Sequence, residues 1–447
     1  MTSTMFQDRA EVRAMIRLAA PLMAAELGWM MMGIEDTMFV GRVSAAAIGA
    51  VGLGTSVFYT VAITASGLML GLDTLVAQAF GAGNREDARR WLIDGAWLAA
   101  LLIVPAMAIV EGIIRMLPRF GIDPAVLQDV RPYMRALNWS VAPLLFYFAF
   151  RRYLQSCDIA RPVMTTLIAA NFVNLAVNWL LVFGNLGAPR LGALGSGCAT
   201  VVSRIYMMGA LAFVILRRDP ELAHVSWRPD WRRVRRLFAL GGPAAAQMGI
   251  EIAVFATVTV LIGRLNALAL AGHQIALTTV STTFMMPLGI SSAAAVRVGH
   301  AIGRKDAKGA ARSGWTALAL GAGVMSVAAV TLLTMPEGIA RMFTPETTII
   351  AAGAVLLRVA AFFQLFDGFQ VVATGALRGA GDTRTPMLCH FGGYWLIGLP
   401  LGALLCFHYG LGARGLWIGL SAGLILIGMV LVLLWGRTVH RWGRPRI

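Results

Sequence analysis

The sequence predicts an all-α integral membrane protein with twelve transmembrane helices, arranged as two six-helix lobes. Three observations support this fold class. Of the 447 residues, 58% are hydrophobic and only 13% are charged, whereas soluble proteins carry about 25% charged residues. The apolar residues form blocks long enough to cross a bilayer as helices, which satisfy their backbone hydrogen bonds internally. The second half of the chain also repeats the pattern of the first.

Short polar loops separate the apolar blocks and define the predicted spans. Six of the spans contain an internal proline, which predicts bent helices. The predicted spans are residues 15–37, 46–70, 91–114, 133–155, 162–184, 194–216, 237–260, 270–296, 313–334, 350–374, 385–407 and 412–435.

The net charge of +16 follows the predicted topology. An even number of spans places both termini on one side of the membrane. The loops and tails on that side, together with the adjoining ends of the spans, carry 27 Lys and Arg residues, whereas the other side carries 9. This bias predicts cytoplasmic termini and a location in the cytoplasmic (inner) membrane. The basic charge is therefore a topology signal, and we expect no nucleic-acid partner.

An internal repeat relates the two halves at a constant offset. Pro21 matches Pro243, and the pair Gly41-Arg42 matches Gly263-Arg264 in the same register. We expect an N-lobe (1–216), a basic cytoplasmic linker (217–236) and a C-lobe with a basic tail (237–447). An even number of spans per half predicts pseudo-two-fold symmetry along the membrane normal and a central cleft for a transported substrate.

Three acidic residues stand out within the spans: Asp36, Glu251 and Asp367. A charge at mid-bilayer costs about 2.5–3.5 kcal/mol on insertion scales, so such residues are rare without a function. Burial favours the protonated carboxyl and a bound cation favours the ionised one, so these acids suit exchange of a proton against a cation. A protonated structural carboxyl remains open for Glu251 and Asp367, and a plain interfacial carboxylate for Asp36.

Other polar and aromatic residues in the spans also have two interpretations. Asn174 and Asn178 lie one turn apart in span five, either as cation ligands or as hydrogen-bonding residues between helices. Phe363 and Phe366 flank Asp367, either as a wall for cationic substrates or as ordinary packing residues. Arg204 has three interpretations: it contacts substrate, it pairs with an acid, or it extends its charged end to the membrane interface.

An enzyme is disfavoured. "GAGD" at 379–382 resembles an intramembrane aspartyl protease motif with Asp367 as its partner. The stretch between Asp367 and Asp382 is too short to hold a turn and a second span. HExxH and Walker patterns are absent from the sequence. We expect no cofactor beyond a coupling ion.

The chain resembles the multidrug and toxic compound extrusion (MATE) family, close to its NorM-type branch, over nearly its whole length. The stretches that carry the resemblance include "APLMAAELGWMMMGIEDTMFVGR", "AVRVGHAIGRKD" and "QLFDGFQVVATGALRGAGD". The resemblance implies two lobes around a V-shaped cleft, alternating access, and export of organic cations and amphiphilic drugs driven by Na+ or H+.

The resemblance also implies site residues. The functional carboxylates of NorM-type relatives match Glu251 and Asp367 in the C-lobe and Asp36 in the N-lobe. The N-lobe cation site of several relatives matches Asn174, Asn178 and Thr200. Some relatives have a tyrosine where this chain has Phe363, which puts a C-lobe Na+ site with that ligand in doubt and favours protons there.

The sequence thus predicts a secondary active multidrug antiporter that works as a monomer in the lipid bilayer and exchanges small organic cations for Na+ or H+. Na+ is the candidate metal ion at the coupling residues. A lipid or lipid-linked saccharide flippase of the same superfamily is the nearest alternative. It would need a more cationic cleft, and only Arg204 and Arg358 are expected inside spans. A membrane-embedded enzyme is a remote alternative.

Overall fold

The computed structural model describes the backbone of residues 2–442, and the side chains of residues 9–442 apart from residues 45 and 120. Over this part of the chain the fold consists of α-helices with short 3-10 and π-helical segments, and it contains no β-strand. The end of the predicted basic tail, residues 443–447, lies outside the described residues. The predicted all-α membrane fold class is confirmed.

The α-helices of the described chain follow one another with short connections. In chain order they are α1 (Thr2–Val40), α2 (Ala45–Gly67), α3 (Gly71–Gly81), α4 (Arg85–Met116), α5 (Pro124–Trp139), α6 (Val141–Ser156), α7 (Arg161–Phe183), α8 (Ala193–Arg218), α9 (Trp231–Gly263), α10 (Ala267–Gly303), α11 (Ala307–Thr334), α12 (Pro336–Arg341), α13 (Thr347–Gly379), α14 (Arg384–His390), α15 (Leu399–Ala403) and α16 (Gly412–Trp442).

Eleven helical segments within residues 2–442 are long and apolar enough to cross a membrane. The second of them is longer than predicted, because a 3-10 turn at Leu68–Leu70 joins α2 to α3 and extends the span to Gly81. The remaining predicted span, 133–155, is covered by α5 and α6, each 16 residues and so about 24 Å long.

The internal proline of the predicted span 133–155, Pro143, predicted a bend, and the structure has a break between two helices three residues before it. The helix is interrupted at Ser140, whose N–H bonds the carbonyl of Leu137 at 2.9 Å, one residue short of α-helical spacing. Pro143 lies in the first turn of α6 and cannot donate to the carbonyl of the residue four positions earlier, which is Trp139. A new helix thus starts where the proline is tolerated.

The span at 384–408 departs from regular α-helix in a different way. It contains two π-helical turns, Phe391–Gly398 and Leu404–His408, around α15. Its glycines face glycines of α16 so closely that the backbones touch, and a Cβ at Gly419 would lie 2.2 Å from the Gly402 nitrogen. Small residues at such an interface let membrane helices approach closely. The facing glycines are Gly393, Gly398 and Gly402 on one side and Gly419 and Gly423 on the other.

The internal repeat is present in the backbone geometry as well as in the sequence. Ser44 and Asn84 are N-caps of α2 and α4, and their equivalents in the repeat, Asn266 and Asp306, cap α10 and α11. Each cap side chain accepts a hydrogen bond from the N–H three residues on, at 2.7–3.0 Å. The two halves therefore start these helices in the same way.

The chain divides into two compact units. One unit is Ala24–Ala245, and the other combines Met1–Met23 with Ala246–Ile447. The two divisions, inside α1 and α9, fall at equivalent positions of the repeat, two residues after Pro21 and Pro243. The units thus differ from the sequence-based division at the 217–236 linker, because the first part of α1 packs with the second half and the first part of α9 with the first half.

Candidate functional site

The predicted N-lobe residues lie together inside the unit Ala24–Ala245, in a cluster that we call the first-half site: Asp36, Asn174, Asn178 and Thr200. Asp36 comes from α1, the two asparagines from α7 and Thr200 from α8. Asn178 donates to Asp36 Oδ1 at 2.7 Å, and Thr200 donates to Asp36 Oδ2 at 2.9 Å. Both carboxylate oxygens are thus bonded within the protein. Asp36 is only 6% exposed, so it is not a plain interfacial carboxylate.

The first-half site has oxygen acceptors to spare. The asparagine side chains are fully buried, and Asn178 Nδ2 also lies 3.0 Å from Asn174 Oδ1. Asn178 Oδ1 has no hydrogen-bond donor within the described structure. A buried oxygen without a donor is costly, by about 1–3 kcal/mol. Carboxylate, amide and hydroxyl oxygens together form a set that suits a hard cation.

Arg204 lies one turn after Thr200 on α8 and is 1% exposed. Its guanidinium donates to the Ser140 hydroxyl and lies 4.8 Å from the centre of the Phe58 ring. Arg204 also interacts electrostatically with Asp36. The residue is therefore a buried part of the first half, and it does not snorkel to the interface.

The second-half site lies in the unit that contains Ala246–Ile447, and we define it as Glu251, Asp367, Gln370 and Tyr394. Asp367 is 3% exposed and Glu251 is half-buried. The two carboxyl groups are close enough to interact electrostatically. Gln370 Nε2 donates to Asp367 Oδ1 at 2.9 Å and lies 3.3 Å from the Tyr394 hydroxyl. Gln370 therefore connects Asp367 to a phenol.

The two aromatic residues predicted beside Asp367 have different surroundings. Phe363 is 3% exposed, and its ring centre lies 6.2 Å from that of Trp417. Phe366 is half-buried and packs edge-on against Phe369 at 6.1 Å. Position 363 thus supplies no oxygen to the site, and contact of either ring with substrate stays a prediction.

The acids Glu251 and Asp36 have no acidic counterpart at the equivalent position of the other half. Glu251 is equivalent to Trp29, which packs in an aromatic cluster with Tyr59, Tyr147 and Phe148 at 5.5–6.3 Å between ring centres. Asp36 is equivalent to Val258, which is fully buried. The acidic position of one half is therefore a packing position in the other.

Sequence reasoning missed a second set of buried charges. Arg151 on α6 donates to Glu26 on α1, and Arg152 lies 3.3 Å from Asp73 on α3. All four are at most 9% exposed. The expectation that only Arg204 and Arg358 lie inside the helix bundle was wrong, because Arg151 and Arg152, near the end of the predicted span 133–155, were counted with the cytoplasmic loop that follows it. Glu26 carried the missed signal, since it is an acid within a predicted span.

Gln370 and Tyr394 were also missed. Gln370 belongs to the quoted stretch around Asp367 and lies one turn after it, which is a usable signal. Tyr394 lies on another helix and has no local pattern. No group of three or more His, Cys, Asp or Glu side chains suited to a metal ion occurs in the searched part of the chain, so a cation at either site would bind mainly to amide, hydroxyl and carboxylate oxygens.

The family model MatE matches the chain twice, at residues 21–180 and 243–404. The starts of the two matches are related by the same offset as Pro21 and Pro243 in the internal repeat. The chain belongs to the MATE family. The predicted family is therefore confirmed, and with it the prediction of a membrane transporter and not an enzyme.

Curated relatives of this MATE chain are similar along their whole length. "Probable multidrug resistance protein NorM" of Brucella suis is 35% identical over 440 residues, which is 96% of this chain and 93% of that protein. "Multidrug resistance protein MdtK" of Yersinia pseudotuberculosis is 34% identical over 432 residues, covering 95% of this chain and 94% of that protein.

Solved transporter structures share the fold. The eukaryotic MATE transporter AtDTX14 superposes with a TM-score of 0.88 at 20% identity, over 97% of this chain and 98% of that one. A transporter of the MOP superfamily from Pyrococcus furiosus gives 0.87 at 18% identity, with 97% of each chain covered. At these identities the similarity supports the fold alone.

Proposed function

We propose that this MATE transporter is a multidrug efflux antiporter that exports organic cations and amphiphilic drugs in exchange for Na+ or H+ by alternating access. The observation that carries the proposal is the pair of buried acid sites, one in each half of the chain. Each holds a carboxylate among amide and hydroxyl groups. The similarity to proteins named as multidrug resistance proteins supports drugs as substrates.

The acid sites would couple ion and drug through differential binding. An ion shifts the balance between outward-facing and inward-facing states only if it binds the two states with different affinity. Asp36 is held by side chains from two other helices, at 2.7 and 2.9 Å. A small shift of α1 relative to α7 and α8 would break these contacts and release the cation. The same reasoning applies to Asp367 and the helix that carries Tyr394.

The buried arginines favour the antiporter over a lipid or lipid-linked saccharide flippase. A flippase must hold phosphate groups, which requires cationic side chains available to the substrate. Arg151 is bonded to Glu26, and Arg152 lies 3.3 Å from Asp73. Both arginines thus have acidic partners within the protein. We further propose a monomer in the inner membrane with both termini in the cytoplasm.

The test is drug accumulation in a pump-deficient bacterial host. Cells with the wild-type protein should accumulate less ethidium than cells without it, and dissipating the ion gradient should abolish the difference. Asp367→Asn and Asp36→Asn should each lose the effect at equal expression. Asp158→Asn is a matched control, because Asp158 is exposed in the turn after α6. Full activity of both buried variants would refute the proposal.

A further inference from the structure

We propose that Gln370 and Tyr394 determine the cation affinity of the second-half site, with Tyr394 providing a neutral oxygen at the acids and Gln370 positioning that oxygen against Asp367. This inference rests on the proposed antiport function. It assigns a role to two residues that the sequence analysis did not select.

Gln370 lies at the centre of the site. It is fully buried on α13, one turn after Asp367, and its Nε2 group lies 2.9 Å from Asp367 Oδ1 and 3.3 Å from the Tyr394 hydroxyl. Its Oε1 atom has no hydrogen-bond donor in the described structure. One side of the amide is thus fixed to the acid and the phenol, and the other side presents an unpaired acceptor.

Unpaired oxygens continue along the same face of α13. Gln364 and Thr374 lie six residues before and four residues after Gln370, which places all three on one side of the helix with Asp367. Gln364 Oε1 and Thr374 Oγ1 are buried and have no hydrogen-bond partner among residues 9–442. Several buried oxygens without donors are unfavourable in an apolar bundle. A partly dehydrated cation beside the acids would offset that cost for Gln370, whose amide lies next to Asp367.

Packing of the Tyr394 ring holds the residue in place, so the position of the ring does not depend on the hydroxyl. The residue is fully buried, and its ring centre lies 6.1 Å from Phe255 and 5.9 Å from His390. His390 is in turn fixed, with Nδ1 2.7 Å from the Pro386 carbonyl and Nε2 3.3 Å from Gln247. Ring packing therefore survives loss of the hydroxyl, so phenylalanine at this position tests the oxygen alone.

The local backbone also indicates a site and not ordinary packing. Tyr394 lies within the π-helical turn Phe391–Gly398, and such turns are frequent at functional sites. The neighbouring Gly393 brings this turn against α16, because a Cβ there would lie 3.1 Å from the Gly423 carbonyl oxygen. From this turn the Tyr394 hydroxyl comes within 3.3 Å of Gln370 on α13.

The experiment measures ethidium efflux from proteoliposomes as a function of cation concentration, with Na+ and H+ gradients imposed one at a time. Tyr394→Phe and Gln370→Met should each raise the half-saturating concentration of the driving cation by about 2- to 10-fold, the effect of losing one hydrogen-bonding contact. The affinity for ethidium at saturating cation and the thermal midpoint of Tyr394→Phe should stay at wild-type values. Tyr409→Phe is the matched control, because Tyr409 is 64% exposed.

The possible results separate the two proposals. If neither gradient drives efflux by the wild-type protein, the antiport function fails and this inference with it. If the wild-type protein is coupled but Tyr394→Phe and Gln370→Met keep its cation dependence, only the inference is overturned. A purely structural role would lower the amount of folded protein or the thermal midpoint without moving the half-saturating concentration.

Discussion

Substitution of Gly419 by alanine tests the close packing that positions Tyr394. A Cβ at Gly419 would lie 2.2 Å from the nitrogen of Gly402, 2.3 Å from its Cα and 2.6 Å from the Gly398 oxygen. These are backbone atoms, so no side chain can rotate away, and the helices must move apart. Overpacking of this kind costs about 1–3 kcal/mol. The higher helix propensity of alanine offsets at most about 1 kcal/mol, so we expect a net loss of stability.

The assay is thermal unfolding of the purified protein in detergent. A net loss of about 1–2 kcal/mol should lower the midpoint of Gly419→Ala by about 1–2 °C, since the entropy of unfolding grows with chain length. Gly323→Ala is the matched control, since Gly323 lies in the interior of α11 and a methyl group there would have no neighbouring atom within 4 Å. The midpoint of this control should equal or exceed that of the wild type. A thermal midpoint of Gly419→Ala equal to that of the wild type would refute the backbone contact between the α14–α15 segment and α16.

Three further predictions use the same unfolding assay. Arg151→Met should destabilise the protein by about 3–5 kcal/mol because it leaves Glu26 buried and unpaired, and adding Glu26→Leu should restore most of the loss; a double variant no better than the single one would contradict this. Arg358→Ala should change stability by less than about 1 kcal/mol, since its ion pair is 3.4 Å long and half exposed; a larger effect would be inconsistent with that geometry. Asp306→Ala should cost about 1 kcal/mol through loss of the α11 N-cap, and an unchanged midpoint would count against the cap.

Two kinds of feature could be predicted from the sequence: those that recur in both halves of the chain, and residues that are energetically unfavourable inside a membrane. The fold class followed from block length and composition, and the internal repeat reappears in the N-caps at Ser44 and Asn266. Asp36 was identified because an acid is costly in hydrocarbon. The resemblance to the MATE family grouped it with Asn178 and Thr200, and the structure bonds both side chains to its carboxylate.

Features that depend on contacts between helices could not be predicted from local patterns. Arg151 lies near the end of the predicted span 133–155 and precedes a polar turn, so its charge was counted with the loop, and only the structure places Glu26 beside it. Tyr394 comes within 3.3 Å of Gln370 from a π-helical segment of another helix, which no local sequence pattern indicates. The break at Ser140 likewise needed the backbone, since several other prolines lie within continuous helices.

The most direct test of the central claim is a measurement of ion movement caused by drug. Proteoliposomes with the wild-type protein, loaded with Na+ or with a pH indicator, should show an ion flux in the opposite direction when ethidium is added on one side. Asp36→Asn and Asp367→Asn should abolish that flux while retaining ethidium binding. Ethidium transport by the wild-type protein without any opposing movement of Na+ or H+ would contradict the account.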